Sequence, residues 1–297
     1  MVCSCPDPLA PTSRSFPVVR CGTCGTGYVS EAPSPGELRR YYSTEYRAYR
    51  AGSSASARVW TRVLSVLLRE EVGSSLGLAL FPPESGSNAM LDVGIGGGSL
   101  TSKMMGRGWN AYGLDFTHDL AAQLPEGMVQ FVVGHAGHLP FRDRSFDLVI
   151  ASHVLEHLHD PVHALTEYAR VLRPGGRVSL GVPNFDSFPS VAFHRATYAY
   201  LDVPRHLVFF TDRSLRLAIR QSGLSLAGFR TVPAPALLPT SLLKIGLNPR
   251  VIQHRWVQAL VSGASLPFDI VTQRNGRGCN FTAVAVKPPN GASGVSP

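Results

Sequence analysis

The sequence predicts an α/β fold, in which helices cover both faces of a mainly parallel sheet. Three observations support this prediction. A short apolar strand, Ala89–Val93, runs into a glycine-rich turn and then into a helix that begins at Ser99. A second apolar strand, Asn110–Asp115, ends in a carboxylate. Strand-like and helix-like segments then alternate toward the C-terminus, which is the pattern of a parallel sheet.

Length and composition limit the possible classes of protein. A chain of 297 residues with 44% apolar residues can form one large domain and a small additional module. It contains no apolar run of about 18 residues and no basic-then-apolar leader, so the expected location is the cytoplasm and no transmembrane segment is expected. The formal net charge of +8 would suit an anionic partner. Because its arginines are scattered, no nucleic-acid partner is expected.

Four of the five cysteines form two pairs near the N-terminus, Cys3 with Cys5 and Cys21 with Cys24. In a chain without a leader, such pairs favour metal or thiol chemistry over disulfides. Thiolates on two tight turns can converge on one tetrahedral ion, so the pairs predict a structural zinc site. Thiols that bind no metal, near a frayed terminus, are the alternative.

The glycine turn has the features of a ligand-binding loop. Gly94 and Gly96 leave space for the backbone to approach a ligand, and the N–H groups of the following helix point toward it. Asp92 precedes the turn and suits a cation better than a pyrophosphate, and Ser99 replaces the third glycine of the dinucleotide fingerprint. Asp115 is expected beside the loop, where it can accept two hydrogen bonds from a ribose.

With this loop and both carboxylates, the chain resembles the class I S-adenosylmethionine-dependent methyltransferases. The resemblance covers about residues 90–184 and includes the Glu156-His157 pair and the turn at 172–176. It implies a Rossmann-like sheet of seven strands with an antiparallel last strand, and S-adenosylmethionine as the cofactor. The donor-contacting residues that it implies are Asp92, Gly94, Gly96, Asp115, Phe116, His135, Ala136 and Ser152.

One of these positions departs from the family pattern. His135 stands where the family usually has an aspartate that receives the adenine amino group. A histidine can offer a ring nitrogen as the acceptor instead. The backbone at Ala136 could still bind the edge of the adenine.

The cysteine pairs narrow the resemblance to methyltransferases with an N-terminal cysteine-knuckle module. This group includes deoxysugar C-methyltransferases and natural-product methyltransferases. In these proteins a Tyr-Tyr segment, here Tyr41 and Tyr42, can cover the mouth of the active site; surface packing is the alternative. His206 matches a histidine in the active site of the sugar enzymes, although Arg205 replaces the acid beside it.

The sequence therefore predicts four parts. Residues 1–50 form the cysteine-knuckle module and cover, and residues 51–88 form a connecting helix and linker. Residues 89–287 form the methyltransferase domain, and residues 288–297 form a disordered tail. Within the domain, the leucine-rich segment 233–263 is a helical lid, a lipid-facing amphipathic segment or ordinary core.

Methyl transfer from a sulfonium has a neutral leaving group, so the protein mainly aligns the donor and acceptor and excludes water. A base is needed only where the acceptor must lose a proton. His206 is the first candidate for this base and His153, directly after the fourth strand, the second. The leading prediction is O-methylation of a small molecule, such as a sugar, a natural product or a lipid-linked acceptor. Methylation of carbon and a non-catalytic, donor-binding protein are the alternatives.

Overall fold

The computed structural model describes residues 2–6, 14–42, 88–119, 121, 124–192, 201–232, 275–289 and several positions between 248 and 273. The strands are β1 (Cys3–Pro6), β2 (Ser15–Arg20), β3 (Gly27–Val29), β4 (Ala89–Val93), β5 (Asn110–Asp115), β6 (Gln130–Val133), β7 (Phe146–Ser152), β8 (Leu172–Pro183), β9 (Val208–Phe209), β10 (Ser225–Val232) and β11 (Asn280–Val286). The helices are α1 (Pro35–Leu38), α2 (Ser99–Met105), α3 (Pro161–Val171), α4 (Phe188–Ala192) and α5 (Asp212–Gln221). Two short 3₁₀ turns cover Arg39–Tyr41 and Leu155–His157.

The main sheet has seven strands in the order β10-β11-β8-β7-β4-β5-β6. Strands β4 to β8 are parallel, while β11 runs antiparallel to both β8 and β10. The predicted α/β class and antiparallel last strand are therefore confirmed. Because β4 pairs with β5 on one side and β7 on the other, the strand order reverses at β4. Open α/β sheets bind their ligands in the crevice at this reversal.

Alternating side chains of the central strand build the two halves of the core. Leu91 and Val93 belong to the larger apolar cluster, which α3 and α5 complete from one face of the sheet. Met90 belongs to a second cluster with Met104 of α2. Successive strand residues point to opposite faces, so a strand covered on both sides has few polar positions. Asp92 is the exception in β4, and it lies where the glycine turn begins.

A second sheet joins the N-terminal module to the main domain. Its order is β1-β2-β3-β9, and β9 comes from the main domain to pair antiparallel with β3. An apolar cluster beneath it combines Phe16 and Tyr41 of the module with Phe185 and Phe209 of the main domain. A Cβ on Gly27 would lie 2.6 Å from the Phe185 ring, so only glycine permits this approach. The module thus shares both its sheet and its core with the main domain.

Several predicted segments lie outside the described residues. These are the connecting segment 51–87, most of the predicted lid 233–263 and the tail from residue 290. The helix, the lid and the disordered tail therefore stay predictions. Within the described part of the chain, no helix is both long and apolar enough to cross a membrane.

Candidate active site

The glycine turn is fixed to the neighbouring strand. The backbone angle φ is +68° at Gly94, +53° at Gly96 and +69° at Gly98, in the left-handed region that favours glycine. The Gly94 N–H donates to the Leu114 carbonyl of β5 at 2.7 Å. A Cβ on Gly94 would also lie 2.6 Å from the Val154 side chain. Both conformation and space thus require glycine at the start of the turn.

The Asp115 carboxylate closes the turn from the side of β5. One oxygen accepts a hydrogen bond from the Gly96 N–H at 3.1 Å, and the other accepts one from the Phe116 N–H at 2.8 Å. Burial raises the pKa of Asp115, while the N–H groups of Gly96, Thr117 and Phe116 lower it. The structure thus brings Asp115 and the loop together, as expected from the sequence. Contact of Asp115 with a ribose stays a prediction.

Asp92 lies beneath the loop, only 3% exposed. Its Oδ2 accepts a hydrogen bond from the Thr101 hydroxyl of α2 at 2.5 Å. Burial raises the pKa of Asp92 to about 7, with a smaller increase from the nearby Asp115 carboxylate, although the Thr101 hydroxyl lowers it. This aspartate therefore connects β4 to α2, a contact that the sequence did not predict. Contact of Asp92 with the donor stays a prediction.

We expect Asp92→Asn to remove part of the pH dependence of stability. The folded-state pKa of Asp92 is raised to about 7. The protonated carboxyl group therefore contributes to the stability of the folded protein. This contribution is complete below the unfolded pKa and is lost as the pH rises through the folded pKa. Between about pH 5 and about pH 8.5, the wild type should lose roughly 2–3 kcal/mol of stability relative to Asp92→Asn. Urea unfolding of the ligand-free protein measures this, with the exposed Asp119→Asn as the control. A difference that does not change with pH would contradict the prediction.

The turn after β6 holds the ring of His135, one of the predicted donor residues. The Nδ1 atom of His135 accepts a hydrogen bond from the Gly137 N–H at 3.0 Å. The proton of the neutral ring is then on Nε2, which is a donor. Burial lowers the pKa of His135, and the nearby His138 and His159 lower it further, which favours this neutral form. Nδ1 is therefore already used within the turn, and contact of His135 with the adenine stays a prediction.

His153 directly follows Ser152, the last residue of β7. Its φ is +56°, an uncommon value for a residue other than glycine, and such strained positions concentrate at functional sites. The His153 N–H donates to the Gly181 carbonyl of β8 at 2.8 Å, and its Nδ1 lies 3.0 Å from a carboxylate oxygen of Glu156. The side chain is 40% exposed. His153 is thus held on one side and open to solvent on the other.

Glu156, His157 and His206 come together next to His153. The rings of His157 and His206 are 4.7 Å apart, and the Leu207 N–H donates to the Glu156 carbonyl at 2.7 Å. Burial alone would raise the pKa of Glu156, but the hydrogen bond from His153 and the electrostatic interactions with His153, His157 and His206 lower it to about 2. Glu156 is therefore a buried carboxylate among histidines. It is not among the site residues predicted from the sequence.

Tyr42 connects the N-terminal module to this cluster. Its hydroxyl lies 3.0 Å from His157 Nδ1, and its ring meets the Phe116 ring edge-on at 5.2 Å. Tyr41 faces the other way, into the core of the module, and its carbonyl accepts a hydrogen bond from Arg205 at 2.9 Å. Arg205 also pairs with Asp202. Tyr42 is therefore positioned between a predicted donor residue and the histidine cluster.

The structure does not bring the four predicted zinc ligands together. Within the described residues, the one set of three or more potential ligands that lie close enough to hold a metal is Glu156, His157 and His206. Cys5 of β1 pairs with Phe16 of β2 and is buried in the module core.

Strand geometry explains why the cysteines are apart. Cys21 lies five positions after Phe16, which is roughly 16 Å along a strand. Cys21 and Cys24 instead share a turn in which hydrogen bonds from Cys24 and Thr23 lower the pKa of Cys21 to about 7. This turn borders an open cavity of about 960 Å³ between the start of α5 and the start of β11. None of the predicted donor or catalytic residues lines that cavity.

Comparisons with known proteins agree with the fold. A family model described as a methyltransferase domain matches residues 91–180. The biotin biosynthesis bifunctional protein BioHC of Cellvibrio japonicus is 31% identical over 166 residues, which are 54% of this chain and 32% of that protein. A demethylmenaquinone methyltransferase of Corynebacterium glutamicum is 36% identical over 91 residues, 31% of this chain and 40% of that protein. This chain thus spans less than half the length of either relative.

The crystal structure of a 1,6-didemethyltoxoflavin-N1-methyltransferase of Burkholderia thailandensis is similar over most of the chain. The match has a TM-score of 0.51 at 16% identity and covers 93% of this chain and 96% of that one. At this identity the similarity establishes the fold alone. The fold, the loop and the buried acids are consistent with the matched domain.

Proposed function

Residues 91–180 form a methyltransferase domain with the class I fold, and from this premise we propose that the chain transfers the methyl group of S-adenosylmethionine to a small molecule. The main supporting observation is the Asp115 carboxylate, whose two oxygens accept from Gly96 and Phe116 at the reversal of the strand order. The proposed acceptor group is a hydroxyl of a sugar or natural product.

Donor binding would use the crevice beside β4 and β5. The Asp115 carboxylate retains lone pairs for the ribose hydroxyls after accepting its two backbone hydrogen bonds. The glycine turn lets the backbone approach the donor closely. The exposed ring of Phe116, next to Asp115, supplies an apolar surface for the adenine. Each of these contacts is a proposal. All of them involve the glycine turn or residues at the ends of β4 and β5.

The reaction would take place next to β7. An acceptor oxygen attacks the methyl carbon, the carbon–sulfur bond breaks and S-adenosylhomocysteine leaves as a neutral product, while the hydroxyl proton passes to a histidine. His206 and His153 are the candidates for this proton acceptor. Tyr42 would cover the cluster and help to exclude water. Catalysis would then depend on alignment and on one proton transfer.

The relatives support a small acceptor. One of them, a demethylmenaquinone methyltransferase, carries the name of a small molecule. The matched part of this chain contains the donor loop, whereas acceptor contacts would come from the segments near Tyr42 and His206. Tyr42 and His206 lie outside residues 91–180, whereas His153 lies within them, so the proposed acceptor side combines matched and unmatched parts of the chain.

The proposal is tested in two steps. Calorimetry on the full chain should detect binding of one S-adenosylhomocysteine, and incubation with S-adenosylmethionine and a panel of hydroxylated sugars and natural products should give a product heavier by one methyl group. Hydrogen–deuterium exchange at the acceptor carbon would point to C-methylation instead. Absence of any affinity for the donor or its demethylated product in folded protein would refute the proposed function.

A further inference from the structure

Within the described part of the chain, one oxygen of the buried Glu156 carboxylate has no hydrogen-bond partner. The residue is 1% exposed, and its Oε1 is paired with His153 Nδ1 at 3.0 Å. Its Oε2 is fully buried and accepts no hydrogen bond from any residue that the structure describes. A buried, ionised oxygen without a partner is costly, and such an atom indicates a missing ligand, water or ion. The Oε2 atom of Glu156 is therefore a position where such a ligand could bind.

Two imidazoles lie beside the carboxylate. Each of Glu156, His157 and His206 offers one ligand atom, and these three atoms lie within 4.8 Å of one another. Glu156 and His206 are buried, and His157 is half-buried. One carboxylate oxygen and two imidazole nitrogens are a common ligand set for divalent transition metals that keep open positions for substrate.

The hydrogen bonds that His157 and Glu156 make to neighbouring residues have the pattern of a metal site. His157 Nδ1 lies 3.0 Å from the Arg205 carbonyl, which can only accept, so Nδ1 carries the proton and the other ring nitrogen keeps its lone pair. A metal-binding histidine usually donates its other N–H to a carbonyl or carboxylate in this way. Glu156 is held in turn by His153. The residues around the cluster thus already fix its orientation.

We propose that Glu156, His157 and His206 bind one divalent transition-metal ion, and that this ion holds the oxygen of the acceptor. The proposal rests on the proposed function and extends it. The ion would satisfy the Glu156 oxygen and leave coordination positions open beside His153 and Tyr42. Its role would be to position the acceptor hydroxyl and to favour its ionised form.

A metal ion at this cluster would change which histidine accepts the hydroxyl proton of the acceptor. A nitrogen that binds a metal cannot accept a proton, so His206 would act as a ligand. His153 donates through Nδ1 to Glu156 and keeps a lone pair on Nε2. As the acceptor oxygen attacks the methyl carbon and the carbon–sulfur bond breaks, the hydroxyl proton would move to His153 Nε2. The proposal thus selects His153 from the two candidates.

Manganese provides the test, because Mn²⁺ prefers oxygen and nitrogen ligands to the thiolates of the five cysteines. The full-length chain is titrated with Mn²⁺ alone, without donor, and the signal of free Mn²⁺ is followed by electron paramagnetic resonance. We expect one saturable site per chain. Glu156→Gln and His157→Ala should each weaken it by at least about tenfold.

The matched control is His163→Ala. His163 and His138 form another histidine pair, with ring nitrogens 3.4 Å apart, on the exposed side of α3. This variant should bind Mn²⁺ like the wild type. Because Glu156 is buried, circular dichroism verifies that Glu156→Gln is folded, and the half-buried His157→Ala provides an independent test.

Two results would overturn the metal proposal. One is a wild-type protein with no saturable Mn²⁺ site; the other is a site that both cluster variants retain. Binding of S-adenosylhomocysteine is measured on the same samples. Because the donor crevice contains none of the three proposed metal ligands, this measurement distinguishes failure of the metal proposal from failure of the proposed methyltransferase function. A chain that binds the donor but not Mn²⁺ would keep its proposed function with His206 as the base.

Discussion

His206→Ala is expected to lose turnover by at least about a hundredfold and to keep its affinity for S-adenosylhomocysteine. A proton acceptor contributes about 10²–10⁴ in rate, and a ligand that holds the acceptor contributes a similar factor. His206 lies in the cluster with Glu156 and His157, away from the glycine turn. Initial rates with an acceptor that the wild type methylates measure the turnover. Calorimetry with S-adenosylhomocysteine measures the affinity separately.

His138→Ala is the control for this experiment, because His138 is an exposed histidine on a neighbouring turn. It should keep both turnover and product affinity. If His206→Ala retained the wild-type rate, both roles proposed for His206 would be excluded. If it lost product affinity as well, the assumed separation between the donor crevice and the cluster would be wrong.

Asp115→Ala is expected to weaken S-adenosylhomocysteine binding by roughly 10²–10⁴-fold. Two ribose hydroxyls donating to a carboxylate contribute about 1.5–3 kcal/mol each, and every 1.4 kcal/mol changes affinity tenfold. The substitution also removes the acceptor for the Gly96 N–H, which fixes the turn. Isothermal calorimetry on the purified chain gives the dissociation constant for the variant and the wild type.

Stability measurements distinguish binding from folding in this variant. Burial raises the pKa of Asp115, because burying the ionised carboxylate has a free-energy cost in the folded state. Substitution by alanine removes this cost. We therefore expect Asp115→Ala to stay folded in urea titrations. Asp119→Ala, an exposed neighbour, should change neither stability nor affinity. An unchanged affinity in Asp115→Ala would exclude the ribose contact.

Much of the arrangement of the glycine turn and its two acids could be predicted from the sequence, because it depends on local patterns. Parallel strands end at the same edge of a sheet, so the acids at 92 and 115 had to lie near the intervening glycine turn. The structure brings Asp115 within hydrogen-bonding distance of Gly96. The hydrogen bond that His135 accepts from Gly137 could not be predicted, because it depends on the fold of the turn and not on residue type.

The histidine cluster could not be predicted in the same way. Residues 156 and 157 follow β7, whereas residue 206 precedes β9, some fifty positions later. They meet because the Leu207 N–H donates to the Glu156 carbonyl and because β9 pairs with β3 of the N-terminal module. The short 3₁₀ turn and two-residue strand involved have no strong sequence pattern. The four cysteines illustrate the same point, since strand register separates Cys5 from Cys21.

The sequence by itself determined the α/β sheet, its central glycine turn and the two acids beside it, because strand and helix periodicity and short-range spacing constrain them locally. Only the tertiary structure decided which distant side chains share a site. Glu156, His157 and His206 lie together, with Tyr42 against His157, because pairing between strands and burial of a shared core bring separate segments into contact. Such contacts depend on the free energy of the whole fold, which no short stretch of sequence contains.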